Sequence, residues 1–475
     1  MLYFVVGLLF CVFSSVTVAE SLSLEDAIAL ALIHNPNIQT HCLDKNLALS
    51  EIDYQKSLFL AKPSIEMSGV VQEERTELNQ KNKLIKAYPS VELKTTMGTS
   101  FKAYVEQNSH IQNQTKHHDH AVTLIVKQPL SKGFKKSINQ WPIQNAQLQY
   151  DLEKMYFRKM IEEVVADLIV QFMVYQQTVW TEDLQKQFLQ QTEKFYNQMR
   201  DKFAQGRVAE NDLIAPQLQI KQAKQSYLLA QLESKRMRQQ LFEIIGIEDL
   251  GQAIDMNFIL KLNGDDMHYS FEEVLQSDVM MNGLSVNAKR LQSELLVTKD
   301  AQRFDLNMQA DMHLGRSHYH YFENLIEYGY YHSLHRHNKG YAASLNLSIP
   351  LGEKHLYYQQ LLVKNTAIEK NKIESYQRQK NLRNQYDNLI QDIDLKKQQQ
   401  QLIEEELTLS DLEYESSLEK YSIGRIPIIE VTRAKERHHL ASINLAKAQL
   451  SLLSSQIKFQ QLAGKLLESW HVSIQ

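Results

Sequence analysis

The chain repeats itself at one fixed spacing. Phe203-Ala204-Gln205-Gly206-Arg207 is answered by Tyr421-Ser422-Ile423-Gly424-Arg425, and each glycine starts a helical pattern that runs to a second glycine, Gly246 or Gly464. Both glycine pairs are separated by 218 residues, and Ala223/Ala441 and Ala230/Ala448 keep that offset in between. Ser23-Leu24-Glu25-Asp26 and Ser270-Phe271-Glu272-Glu273 open the two halves. A single offset held over this length marks a duplicated unit, so the fold must house two similar halves, 20–262 and 263–475.

Each half reads as helix, strands, long helix, turn and long helix. Ile161, Val165, Leu168, Phe172, Tyr175 and Val179 recur at 4-3-4-3-4 spacing, and Ile443, Ala446, Leu450, Leu453 and Ile457 at 3-4-3-4. That is heptad spacing, the seam of a coiled coil. The 15 glycines and 8 prolines among 475 residues fall well below the usual ~12% for the pair, which permits long unbroken helices. Residues 136–203 hold one proline, Pro142, near their start, where a first helical turn accepts it. About 65 residues at ~1.5 Å each make a helix on the order of 100 Å, longer than an ordinary globular bundle uses. Pro216 falls inside the next helical pattern and predicts a kink there.

Between the helices the period changes from about 3.6 to 2. Leu306, Met308, Ala310, Met312 and Leu314 alternate with polar residues, and so do Tyr341, Ala343, Leu345, Leu347 and Ile349. In the first half Ile65, Met67 and Val71, then Val122, Leu124 and Val126, do the same. The expectation is four strands per chain, about 63–75, 120–130, 305–317 and 340–351, and an α+β fold that is mostly α. Residues 76–118 are longer than a simple connection, and Val91, Leu93, Met97 and Phe101 alternate within them. They form either an additional hairpin projecting from the sheet or a replacement for one of the four strands.

The apolar run Leu2–Phe13, the small residues through Ala19 and the polar Glu20-Ser21 read as a secretory signal over 1–19, although no basic residue precedes the run. Beyond it no stretch of eighteen apolar residues occurs, so membrane entry would have to use strands. With Cys11 in the signal, Cys42 is left alone and no internal disulfide is expected. The formal charge of −4 is mild and argues for neither nucleic acid nor an acidic partner, and no nucleic-acid partner is expected. No phosphate loop, nucleophile elbow or zinc-type Cys/His spacing is present, so neither enzyme chemistry nor a cofactor is expected. Four tilted strands cannot close around a lumen, and open edges are not viable in lipid. Three copies would close twelve.

The chain resembles the TolC-like outer-membrane efflux proteins over nearly its whole mature length. The resemblance rests on Leu22 through Ile28 and Asn35-Pro36, on Gln128-Pro129-Leu130 at a strand end, and on the two repeat turns, Phe203 to Val208 and Tyr421 to Arg425. It implies a homotrimer with a twelve-stranded barrel in outer-membrane lipid and an α-barrel of paired helices in the periplasm. The implied partners are a periplasmic adaptor protein and an inner-membrane transporter. It places the helical turns near 205–211 and 422–428 at the tunnel mouth, with Gln205, Gly206, Arg207, Ile423, Gly424 and Arg425 as the adaptor-contact tips. It places Asp212, Tyr421, Glu430 and Arg433 at the periplasmic gate, with Asp212 accepting bonds from the tyrosine and from basic residues nearby. The family often carries two acidic residues where this chain has Glu430 and Arg433, so three arginines would cancel or pair with a cation-selecting ring of carboxylates. The i,i+3 spacing of that pair also fits a plain surface helix contact.

Ten of the 17 histidines cluster at 110–120 and 313–337, and His117-His118-Asp119-His120 has metal-ligand composition, although a solvated loop fits it as well. Small-molecule efflux, type I protein secretion and metal efflux share this kind of outlet. A periplasmic coiled-coil scaffold without a pore is the reading from another class.

Overall fold

The computed structural model describes residues 21–74, 80–112, 115–206, 209–249, 251, 253–255, 269–325, 328–349, 352, 354–470 and 472. The expected signal over 1–19 and the junction between the halves at 262/263 lie outside the described residues. The first half contains β1 (Ser21–Leu22), α1 (Leu24–His34), α2 (Pro36–Ser57), β2 (Lys62–Glu74), β3 (Gln80–Lys94), β4 (Ser100–Gln112), β5 (Thr115–Pro129), α3 (Lys136–Asn139), α4 (Trp141–Ala204), α5 (Asn211–Ile245) and β6 (Ala253–Ile254). The second contains α6 (Phe271–Ser277), α7 (Val279–Ala301), β7 (Asp305–Leu325), β8 (Tyr328–Ser348), α8 (Lys354–Ser422), α9 (Ile428–Leu462) and α10 (Leu466–Ser469).

The chain divides into two compact units. One comprises Met1–Asp44, Lys154–Asn282 and Gln377–Gln475, and its described residues form helices and the parallel strand pair β1–β6. Its core is the predicted seam of α4. Val165, Leu168, Ile169 and Phe172 are fully buried against Leu241 and Ile245 of α5, Ala27 and Ala31 of α1, and Ile457 of α9. Each such side chain contributes roughly 1.5–3 kcal/mol of burial. Polar groups set the entry into both halves. Ser23 and Asp26 form a capping box at α1, and Ser270 and Glu273 form another at α6. Each box satisfies two helix-end donors. Both short helices then break at a second polar cap: Asn35 Oδ1 accepts from the Asn37 and Ile38 amides, and Asp278 Oδ1 from the Met281 amide. Asp278 also accepts two bonds from Arg378, its ion-pair partner.

Gly246 ends α5 at φ +84°, where an added Cβ would lie 2.6 Å from the His34 carbonyl oxygen. A backbone oxygen cannot step aside as a side chain can. Gly246→Ala is therefore expected to lower the thermal midpoint in detergent by more than Gly206→Ala. Gly206, at φ +69°, has nothing within 4 Å of its would-be Cβ and faces only the left-handed strain of about 1–2 kcal/mol. Equal midpoints would refute this packing. Pro216 is buried and α5 continues through it.

The other unit comprises Lys45–Glu153 and Gly283–Tyr376. Here the structure corrects the expected strand count. There is one antiparallel sheet of six strands in the order β2-β3-β4-β5-β7-β8. The segment expected either to project or to replace a strand supplies β3 and β4, and both lie within the sheet between β2 and β5. The physical reason is that their alternation matches that of their neighbours. Facing residues Ile65/Pro89, Val91/Ala103, Phe101/Val126, Leu124/Met312 and Met308/Leu345 all fall on one face. The opposite face carries Ser64, Glu92, Lys102, Asp311 and Asn346. The apolar face is bare: Met67 is 80% and Tyr341 94% exposed.

Candidate functional site

The two repeat turns are built alike. At the first, α4 ends in Gln205-Gly206, with the Gly206 amide on the Phe203 carbonyl at 2.8 Å. At the second, the Gly424 amide meets the Tyr421 carbonyl and the Arg425 amide the Lys420 carbonyl, both at 2.9 Å. These bonds satisfy helix-end carbonyls around a left-handed residue. Gly206 and Gly424 have φ of +69° and +76°. Gln205, Gly206, Ile423, Gly424 and Arg425 are all exposed. Arg207 lies outside the described residues. Asp212 falls in the first turn of α5, and its side chain is likewise outside what is described.

One turn behind the tips, Lys202 of α4 reaches Tyr421 of α8. Its Nζ donates to the Tyr421 hydroxyl at 3.3 Å and lies 5.5 Å from the ring centroid. The cation thus touches both the polar and the π part of the tyrosine. Sequence reasoning paired Tyr421 with Asp212 and missed Lys202. The available signal was a lysine preceding the aromatic residue at both turns, Lys202-Phe203 and Lys420-Tyr421.

Pro427 precedes α9, whose first turn holds Glu430 at the positive end of the helix dipole. Val431 and Ala434 are buried, which turns Glu430 and Arg433 outward, and both are exposed. Among the described residues no ion pair joins these two. Further along α9, His439 stacks on Phe188 of α4 at 4.6 Å, and Lys435 lies over the same ring at 5.6 Å. Burial lowers the pKa of Lys435. Burial, then the charges of Lys435 and His438, lower that of His439, so its imidazole is uncharged at neutral pH. His438 stacks on Tyr414 of α8. This aromatic layer ties α9 to both long helices behind the turns.

No helix among the described residues is long and apolar enough to cross a membrane, and no group of three or more His, Cys, Asp or Glu is placed to hold a metal ion. Of the histidine cluster, His118 hydrogen-bonds to Ser109 at 3.0 Å. The side chain of His117 lies outside what is described.

No family model and no curated protein matches the sequence. Solved structures do. The chain is similar to the CmeC outer membrane channel of Campylobacter jejuni, with TM-score 0.69 and 12% identity, covering 93% of this chain and 86% of that one. It is similar to the open state of the MtrE outer membrane channel of Neisseria gonorrhoeae, with TM-score 0.65 and 13% identity over 93% and 89%. It is also similar to the outer membrane protein VceC of Vibrio cholerae, with TM-score 0.65 and 11% identity over 93% and 96%. The protein therefore has the fold of the TolC-like outer-membrane channels.

Proposed function

We propose that this chain is one subunit of a homotrimeric outer-membrane channel, the outlet of a tripartite system that exports small molecules. The observation that carries the reading is the six-stranded sheet, which bares one apolar band, from Ile65, Val91 and Leu124 to Met308 and Leu345, and has β2 and β8 at its edges. Lipid covers an apolar sheet face but cannot satisfy an open edge, so further copies must close the wall. A soluble coiled-coil scaffold has no use for such a face. The helices then extend into the periplasm, and substrate arrives there from an inner-membrane transporter through an adaptor protein.

In this reading Gln205, Gly206, Arg207, Ile423, Gly424 and Arg425 meet the adaptor. The exposure of Gln205, Gly206, Ile423, Gly424 and Arg425 and the open space around both glycines leave room for a partner. Asp212, Tyr421, Glu430 and Arg433 form the gate, with Lys202 as the partner of Tyr421. Three copies set three Glu430 carboxylates against three Arg433 guanidinia, so the gate carries little net charge and discriminates weakly between small cations and anions.

The test is to extract the mature protein from outer membranes, follow its heat-sensitive migration on a gel and record currents in planar bilayers. The expected result is a detergent-dependent trimer that conducts with little ion preference. A monodisperse monomer, soluble without detergent and silent in bilayers, would remove the proposal.

A further inference from the structure

We propose that the hairpin β3–β4 widens the exit, so that three copies close an eighteen-stranded barrel in place of a twelve-stranded one. The inference rests on the channel reading above and concerns the size of its outer segment. It follows from register, face and anchoring, each observed separately.

The register makes the hairpin part of the wall. β3 pairs with β2 continuously from Lys62↔Glu92 to Glu74↔Gln80. β4 pairs with β5 continuously from Ser100↔Lys127 to Gln112↔Thr115. A hairpin laid outside the sheet or folded into a lumen would leave β2 beside β5, and here those strands are separated by two others.

The faces agree. Ala87, Pro89, Val91, Phe101, Ala103 and Val105 share a face with Met67 and Leu124. Val91, Phe101, Val122 and Leu124 are 43%, 42%, 41% and 43% exposed, so the inserted strands present their apolar side chains as the flanking strand does. Polar residues occupy the alternate positions: Lys86, Ser90 and Glu92 on β3, Lys102, Glu106 and Asn108 on β4. This alternation is what a membrane strand needs between lipid and a watery lumen.

The turn of the hairpin is pinned. The Thr95 amide bonds the Thr99 carbonyl at 2.8 Å, and Gly98 adopts φ +83°. Any Cβ on Gly98 would overlap the Gly133 carbonyl oxygen and approach the Pro129 ring to 2.9 Å. The turn is therefore seated against the loop that follows β5.

Parity completes the argument. Two added strands preserve the up-and-down order, so with six strands per copy β8 of one copy meets β2 of the next antiparallel. Barrel diameter grows roughly linearly with strand number, and barrels of 16–18 strands hold an aqueous channel. At equal tilt the exit would be about 1.5 times as wide as a twelve-stranded one and about twice its cross-section. The outer segment would then impose little sieving, and selection would fall to the helical gate.

The decisive experiment is a cryo-electron microscopy count of strands in the intact trimer in nanodiscs. Eighteen strands are expected. A three-fold particle with twelve wall strands and the hairpin outside the wall would overturn this inference and leave the channel reading standing. Absence of any closed three-fold ring would sink the channel reading itself. A second measurement does not depend on imaging. The Ser64 and Ser90 hydroxyls face each other at 2.8 Å across β2 and β3. In a Cys42→Ala background, Ser64→Cys/Ser90→Cys is expected to form an intrachain disulfide in outer membranes. Free thiols after oxidation would show that β3 is not in the wall.

Discussion

Leu124→Arg is expected to remove the protein from the outer membrane, whereas Ile125→Arg, one residue along, is expected to leave assembly intact. Both wild-type residues are apolar and both sit mid-strand in β5, so composition does not distinguish them. Their neighbours do. Leu124 lies between Ala103 and Met312 on the apolar face, and Ile125 between Lys102 and Asp311 on the polar one. An arginine on the lipid side near mid-bilayer costs about 2–4 kcal/mol per copy. Three copies would lose roughly 6–12 kcal/mol, comparable to the whole stability of a typical domain. At position 125 the guanidinium enters water beside a carboxylate. Heat-sensitive trimer in purified outer membranes is the readout. Equal trimer yields for the two variants would show that the apolar face does not contact lipid.

The features that sequence alone displayed were those written into local periodicity. The seam from Ile161 to Phe172 is buried where heptad spacing placed it, because a long helix has only one stripe to bury and its spacing states which. The strands at Leu306–Leu314 and Tyr341–Ile349 were legible for the same reason at period 2. β3 and β4 were half legible: Val91, Leu93 and Phe101 alternate, but Lys94 to Ser100 interrupts them, and periodicity cannot say whether a hairpin joins a neighbouring sheet or leaves it. Only the pairing of Ser64 with Ser90 and of Tyr104 with Thr123 settles that, and pairing is a long-range property. The strands also run further than expected. β7 continues through the histidine-rich stretch to Leu325. Its polar, aromatic sequence there reads as loop until a partner strand takes up its backbone groups. At the turns, repetition picked out Tyr421, but the identity of its cation depends on which helix passes beside it. The repeated Lys202-Phe203 and Lys420-Tyr421 mark Lys202 as a candidate but do not say that it meets Tyr421.

That contact carries the second large effect. Lys202→Met is expected to raise the open probability of the channel in planar bilayers by about 10- to 100-fold. Tyr421→Phe should raise it less, and Lys202→Arg should leave it near that of the parent. The ordering follows from what each change removes. Methionine removes both the bond to the hydroxyl and the charge over the ring, phenylalanine removes only the bond, and arginine keeps a cation within reach of both. An exposed cation–π contact is worth about 0.5–1 kcal/mol, too little to hold a gate by itself. In a three-fold ring, however, the three contacts would open together, so their energies add to roughly 1.5–3 kcal/mol, and each 1.4 kcal/mol is tenfold in an equilibrium. In the proposed channel, weak contacts would suit a gate opened by an adaptor: one strong lock would resist the partner, whereas three weak ones would release once the tips ahead of them at Gly206 and Gly424 were drawn apart. If Lys202→Met conducts like the parent in both amplitude and open probability, the pair merely decorates the helix surface, and the closed state must be held by other residues.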